Sequence, residues 1–284
     1  MRSEYKYLVP EALLTRLRDE VGPFVDPDPH MTGLENRGYT VRSIYLDTAA
    51  LRYYFEKKAG LLVRRKLRIR AYNDPRPGDW IFLEIKRKVD DKITKNRAPT
   101  TFKNLETLIR TGDVENLVCQ NPHYPMAFED GRRFLYHVYR YSLAPTFMTV
   151  YEREAFVGRT DRTFRITFDR SLRGRAYASL VDLYSEEELR RVLPGAFILE
   201  VKFNTRFPSW LRSVLGRNNL RHEALSKYCM CGEGSGHHVD SKVEVLSNIE
   251  APVYAGGSHN GTLVHGLEDT SGPADGHGVE HRRR

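Results

Sequence analysis

Lys66, Arg68, Arg70 and Tyr72 occupy every second position of the stretch Lys66-Leu67-Arg68-Ile69-Arg70-Ala71-Tyr72. In a β-strand alternate side chains point to opposite faces, so three cations share one face while Leu67, Ile69 and Ala71 share the other. Like charges that face one another across a sheet are destabilising, so a surface of this kind calls for an anion. Arginine's planar fork holds phosphate oxygens two at a time, and lysine acts as a compact point charge. Phosphoryl transfer is the chemistry such rows serve. It asks for alignment and for stabilisation of dispersed negative charge rather than for a Ser, Cys or His nucleophile, and no recognisable triad is present.

The same device recurs along the chain. Trp80 to Lys88 places Phe82, Glu84, Lys86 and Lys88 opposite Ile81, Leu83 and Ile85, and the turn Asn73 to Asp79 makes a hairpin with the preceding strand. Glu4 and Lys6, Tyr151 and Arg153, the set Arg165, Thr167 and Asp169, and Glu200 with Lys202 continue it. Helical spacing marks Pro10 to Val21, Thr101 to Arg110, Phe128 to Tyr141 and Pro208 to Leu215. The fold class expected is α+β: a closed antiparallel β-barrel with a charged lumen, its apolar faces turned outward under surrounding helices. Arg64, Arg65, Arg87, Lys92, Lys95 and Arg97 are read as solvated or at the mouth, where they would guide a long anion.

The chain has 284 residues, a formal charge of +8 and 40% hydrophobic residues, enough to bury a sizeable core. Composition changes near Glu233. Residues 234–284 hold nine of the 21 glycines and six of the ten histidines, and are read as a disordered tail beside a folded body, 1–233. The tail carries −3, so the body carries +11. Histidines such as His237, His238, His259 and His265 lack fixed metal-ligand spacing. Three cysteines, Cys119, Cys229 and Cys231, show no disulfide framework. No apolar run matches a signal peptide or a membrane span. A soluble, cytoplasmic protein is expected.

The ordered set Glu4-Tyr5-Lys6-Tyr7, Arg42 to Thr48, Lys66 to Arg70, Phe82 to Lys86, Tyr151 to Arg153, Arg165 to Asp169, Leu199 to Lys202 and Ser226-Lys227-Tyr228 resembles the VTC domain. VTC domains are the polyphosphate polymerase modules of the triphosphate tunnel metalloenzyme (CYTH-like) superfamily. The resemblance implies an eight-stranded antiparallel tunnel that uses a divalent cation, manganese favoured and magnesium possible. ATP would give its γ-phosphoryl group to inorganic polyphosphate. By position, Arg68, Arg70, Lys86 and Lys227 correspond to catalytic residues. Lys6, Arg68, Arg70, Lys86, Tyr151, Arg153, Arg165, Lys202, Ser226 and Lys227 correspond to phosphate-binding residues, and Glu200 to the metal-binding carboxylate. Glu4 and Glu84 read either as further metal ligands or as ion-pair partners of lumen lysines such as Lys6 and Lys86. Ser226 reads equally as a helix cap. Arg2 stands where the superfamily often has an acid, a departure shared by VTC-type members. Two other readings stay open: a metal-dependent inorganic triphosphatase, and a binding module for polyphosphate or nucleic acid. Tyr72 and Tyr151, interleaved with basic residues, speak modestly for nucleic acid. The carboxylates Glu84 and Glu200 speak against a pure polyanion binder, which gains nothing from them unless they hold a metal, so nucleic acid is disfavoured. No partner membrane protein can be read from the sequence.

Overall fold

The computed structural model describes residues 3–31, 38–90, 92–204 and 206–234. Arg2 and residues 235–284 of the tail lie outside the described residues. Eight strands form one antiparallel path in the order β1 (Ser3–Pro10), β10 (Ala196–Phe203), β8 (Arg165–Ala176), β7 (Ala144–Gly158), β3 (Tyr39–Asp47), β4 (Val63–Tyr72), β5 (Trp80–Val89) and β6 (Lys92–Thr101). The short β2 (Val25–Pro27) lies beside β7, and β9 (Arg190–Arg191) beside β8.

The alternation in the sequence becomes two faces. The register sets Ser43 against Arg70, Tyr45 against Arg68, Arg68 against Glu84 and Lys66 against Lys86 on the inner face. The chain of inner pairs continues through Tyr39 and Arg153, Arg153 and Asp169, Glu200 and Thr167, and Lys6 and Glu200. Outward, Leu67, Ile69, Ile81, Leu83 and Ile85 are buried with Leu105 and Leu108 of α3 (Phe102–Thr111) and Phe134, Leu135 and Val138 of α5 (Ala127–Arg140). On the other flank, Leu14 and Leu17 of α1 (Leu14–Val21) and Leu211 and Val214 of α6 (Ser209–Arg217) cover Ile166, Phe168, Phe197 and Leu199. Each such apolar side chain is worth about 1.5–3 kcal/mol when fully buried, so the outer layers hold the fold while the inner face stays polar. A short α4 (Val114–Leu117) links α3 to the segment before α5.

The barrel expected from the sequence is not closed by backbone hydrogen bonds. No ladder joins β1 to β6 among the described residues, because both edges have other partners. Along β1, Tyr7 bridges to His222 and the Glu223 N–H donates to the Lys6 carbonyl at 2.8 Å. Along β6, Thr100 bridges to Val118 and the Cys119 N–H donates to the Pro99 carbonyl at 2.8 Å. Across the gap, Lys86 Nζ of β5 donates to Glu4 Oε2 of β1 at 3.3 Å.

Two helices carry no strong sequence signal. α2 (Arg52–Lys58) is capped from a distance by Asp47, whose carboxylate accepts from the N–H groups of Tyr53 and Tyr54, each at 2.9 Å. α7 (Lys227–Gly234) contains two glycines and packs on the inner face of β7 and β8. It fits there because of a bulge: the β7–β8 register shifts between Val150 and Glu152, and Ser171 on β8 takes φ +51°. The extra residue turns Arg173 and Arg175 outward and Gly174 inward. A Cβ on Gly174 would stand 2.5 Å from Cys231 Sγ. The three cysteines are free thiols. Among the described residues no helix is long and apolar enough to cross a membrane.

Candidate functional site

The inner faces enclose a lumen of two adjoining chambers, of about 1090 Å³ and 650 Å³. Glu4, Arg68, Arg70, Lys86, Arg153 and Lys202 line both. The larger opens past Trp80, Tyr124 and His123, the smaller past Lys57, Arg64 and Lys88.

Glu84 sits at the centre of the β4–β6 wall, 1% exposed. Arg68 Nε donates to its Oε2 at 2.7 Å, Arg97 Nε to its Oε1 at 2.7 Å, and Lys95 Nζ lies 2.8 Å from Oε1. Burial alone would raise the Glu84 pKa, but Arg68, Arg70, Lys95 and Arg97 hold it well below the usual carboxylate range. Lys95 and Arg97, read from the sequence as solvated or at the mouth, line the larger chamber and are tied into its wall through Glu84. Their strand carries a weak sequence signal because Pro99 lies within it, a residue that strands tolerate at a sheet edge.

The opposite wall has a second buried centre. Arg153 grips Asp169 with both arms, Nε to Oδ1 at 2.6 Å and Nη2 to Oδ2 at 2.7 Å. Lys227 Nζ, from the first residue of α7, reaches the same Oδ2 at 2.5 Å. Arg153 and Lys227 also lie over the Tyr151 ring, at 5.3 and 4.7 Å. Between the walls, Glu4 contacts Lys6 at 3.0 Å, Lys86 at 3.3 Å and Lys202 at 3.9 Å. Glu200 pairs closely with Lys202 and lies 3.8 Å from Arg153. Burial and Glu200 push the Glu4 pKa up, yet Lys6, Lys202 and Lys86 outweigh them and hold it at about 2. Arg165 shares Asp28 at 3.2 Å and the Tyr39 hydroxyl at 3.2 Å.

Of the site residues expected from the sequence, Glu4, Lys6, Arg68, Arg70, Lys86, Tyr151, Arg153, Arg165, Glu200, Lys202, Ser226 and Lys227 line the two chambers, and Glu84 is buried in the β4–β6 wall. Ser226 holds two posts at once: it caps α7 by accepting from the Cys229 N–H at 3.3 Å, and it accepts from Lys66 Nζ at 2.7 Å. Sequence reasoning gave no role to Tyr39, Ser43, Tyr45 or Asp169, although the period-2 pattern put Asp169 on the right face.

Positive charge exceeds what these carboxylates balance. Arg70 is 6% exposed, and its hydrogen bonds among the described residues go to neutral oxygens, Ser43 Oγ at 3.1 Å and the Tyr151 hydroxyl at 3.4 Å. Withdrawal from water, with repulsion from Lys6, Lys86 and Lys57, drives Lys66 down to about 7. Lys95 falls to about 8 and Lys86 also falls, burial being the largest cause in each. Thr149 and Thr167, on the inner face, have buried hydroxyls with no hydrogen-bond partner among the described residues. The arrangement is a buried basic surface, with arginine forks fixed by carboxylates and lysines whose charged form is disfavoured by burial.

An antiparallel sheet around a basic, carboxylate-braced lumen defines a class of α+β proteins with a charged interior. Within it, the family model of the VTC domain matches residues 1–233, and this chain belongs to that family. A search of curated proteins finds none that matches. Among solved structures, a putative adenylyl cyclase from Hippeastrum, described as having a dominant triphosphatase activity, is 14% identical with a TM-score of 0.46, covering 82% of this chain and 96% of its own. The PH1819 protein of Pyrococcus horikoshii is 11% identical with a TM-score of 0.40, covering 81% and 99%. The Mimivirus capping enzyme triphosphatase is 10% identical with a TM-score of 0.29, covering 76% and 88%. No residue role is taken from these three.

Proposed function

We propose that this protein makes inorganic polyphosphate, moving the γ-phosphoryl group of ATP onto a growing chain held in the lumen. The observation that carries this reading is the excess of buried positive charge around Arg70 and Lys66, which a chain of phosphates would neutralise, in a member of the VTC family. A terminal oxygen of the chain attacks the γ-phosphorus, the bond from that phosphorus to the β-phosphate oxygen breaks, and ADP leaves with the electron pair. Arg68, Arg70, Lys86 and Lys227 stabilise the charge spread over the transferring group. Lys6, Tyr151, Arg153, Arg165, Lys202 and Ser226 hold the flanking phosphates.

The acceptor is already an anion and needs no base. Water, the acceptor in a triphosphatase, would need one, and the carboxylates here are poor candidates. Glu4, Glu84, Asp169 and Glu200 are all shifted to lower pKa by neighbouring cations, which weakens them as bases. This favours polymer synthesis over hydrolysis.

Glu4 and Glu200 fit a divalent cation. They are oxygen donors on adjacent strands, close enough to repel each other, and their ion-pair partners are mostly lysines, with Arg153 3.8 Å from Glu200. Hard cations bind through one or two carboxylates plus substrate phosphates. Manganese, or magnesium, would neutralise and orient phosphate oxygens there. Glu84, expected from the sequence as a third ligand, fits poorly, because both its oxygens are engaged by Arg68, Arg97 and Lys95. We assign it to holding those guanidiniums in place.

Purified protein incubated with ATP and manganese, its products resolved on a gel that displays phosphate ladders, tests the reading. A ladder with ADP supports it, orthophosphate without a ladder would indicate the triphosphatase, and neither product would indicate a binding module. Arg70→Ala is the control, since Arg70 anchors no carboxylate. It should lose about 10²–10³ in turnover, as removal of one transition-state donor does elsewhere, with unchanged thermal stability. Glu200→Gln should raise the manganese concentration needed for half-maximal turnover, and an unchanged titration would remove the metal assignment.

A further inference from the structure

On the side of β4 and β5 away from the lumen, the outward apolar rows end in two arginines. Arg65 and Arg87 stand directly opposite each other in the β4–β5 ladder, on the face that carries Leu67 and Ile85. They are neither fully solvated nor at a mouth, in contrast to the sequence reading. Both are half-buried under the last turn of α5. Tyr141, just beyond that turn, gathers three guanidiniums around its ring: Arg52 and Arg65 at 6.0 Å and Arg140 at 5.8 Å. His137 stacks on the same ring, centroids 5.7 Å apart and planes 16° from parallel.

The charge here is not balanced. Glu56 accepts from Arg52 Nε at 3.2 Å and from the backbone N–H of Arg65 at 3.3 Å, and it attracts the Arg65 guanidinium with no hydrogen bond to it among the described residues. Asp130 is taken by Asn96, Arg133 and the backbone of Arg97. Arg87 reaches only a neutral oxygen, Asn96 Oδ1, at 3.4 Å. Two buried nitrogens, Arg87 Nε and His137 Nδ1, have no hydrogen-bond partner among the described residues. The C-terminus of α5 contributes about half a negative charge, which cannot offset Arg65, Arg87 and Arg140 together. Two arginines opposed in the ladder, one of them with a buried N–H left over, offer the donors that hold a tetrahedral oxyanion.

We propose that Arg65, Arg87 and His137 form a second anion site, outside the lumen, that binds a phosphate group. The group comes either from free orthophosphate or from the end of a phosphate chain. The site does not depend on the chemistry of the lumen. Burial, with Arg65 and Arg87, drives the His137 pKa down to about 4. A phosphate between the arginines removes their repulsion and lets the imidazole hold a proton.

His137 is therefore a local reporter, read in the full chain by NMR and assigned by comparison with His137→Gln. With orthophosphate or a long phosphate chain present, its titration midpoint should rise by at least about one unit, the scale of one neighbouring charge. The Arg65→Gln/Arg87→Gln double variant should lose that response while binding tripolyphosphate in the lumen as before. A response to orthophosphate identifies the free ion as a ligand, and a response to the chain alone identifies the polymer end. A midpoint that neither ligand moves, or a response that survives in the double variant, overturns the proposal. Arg87→Lys, which keeps the charge and loses the fork, gives a second test through a weaker phosphate response at unchanged stability.

Discussion

Glu84 shows how one buried carboxylate governs its surroundings. Three cations converge on it, and its own exposure is 1%. Replacing it by glutamine keeps the volume and leaves Arg68, Lys95 and Arg97 without a counter-charge. Breaking a buried pair on one side costs about 3–5 kcal/mol, so Glu84→Gln should lower the denaturant midpoint by a corresponding amount. Added tripolyphosphate should restore part of the loss. An unchanged midpoint would contradict the anchoring role. Lys66 yields a prediction of opposite sign. Its folded pKa of about 7 lies below the unfolded value of about 10.4, so between those values the unfolded chain holds more protons and stability rises with pH. A polyanion returns the proton to Lys66. At about pH 8, tripolyphosphate binding should therefore take up protons, seen as a binding heat that varies with buffer ionisation, and Lys66→Met should remove most of the uptake. The residue types at both positions were legible as lumen residues from their parity. Their partners were not, because Glu84 is neutralised from β6 and Lys66 is held by the cap of α7.

At the scale of the element, α7 is decided by its neighbours. Its own sequence, Lys227 to Gly234, has little helical preference. It forms because Ser226 caps it, the Tyr228 hydroxyl donates to Asp47, and Gly174 and Gly232 leave room for close approach. A Cβ at Gly232 would meet Tyr54 Cε2 at 2.8 Å. Gly174→Ala should therefore push α7 away from β8 and separate Lys227 from Asp169. The expected outcome is a protein that keeps its sheet by circular dichroism but binds tripolyphosphate at least about tenfold more weakly, the effect of roughly 1.4 kcal/mol. Full affinity would mean that Lys227 reaches its place by another route. The helices α1, α3, α5 and α6 were readable within a few residues from apolar spacing, since each buries a stripe on the sheet. α1 starts as α-helix only at Leu14, because Pro10 still belongs to β1 and Glu11–Leu13 form a 3₁₀ turn.

For the molecule as a whole, the outer apolar layers must hold together a sheet whose inner face repels itself. Both sheet edges are covered by loop segments, at His222–Glu223 and Val118–Cys119, so the lumen is closed between β1 and β5 by charged side chains. Such a body gains stability from a polyanion that binds only the folded state, about 2.7 kcal/mol when the ligand is at a hundred times its Kd. Tripolyphosphate should raise the melting temperature, and the gain should shrink with added salt as exposed parts of the lumen are screened. A gain that salt does not touch would argue against electrostatic capture.

The sequence by itself determined which side chains face inward. Parity along a strand is a local property of the backbone, and the rows Lys66 to Tyr72, Phe82 to Lys88, Arg165 to Asp169 and Glu200 to Lys202 carry it openly. Tertiary structure alone decided which charges meet. β6 was hidden by Pro99, the bulge at Ser171 reverses the parity of β8, and the edges are taken by distant loops. Each of these depends on register between segments far apart in the chain, and no window of residues contains it.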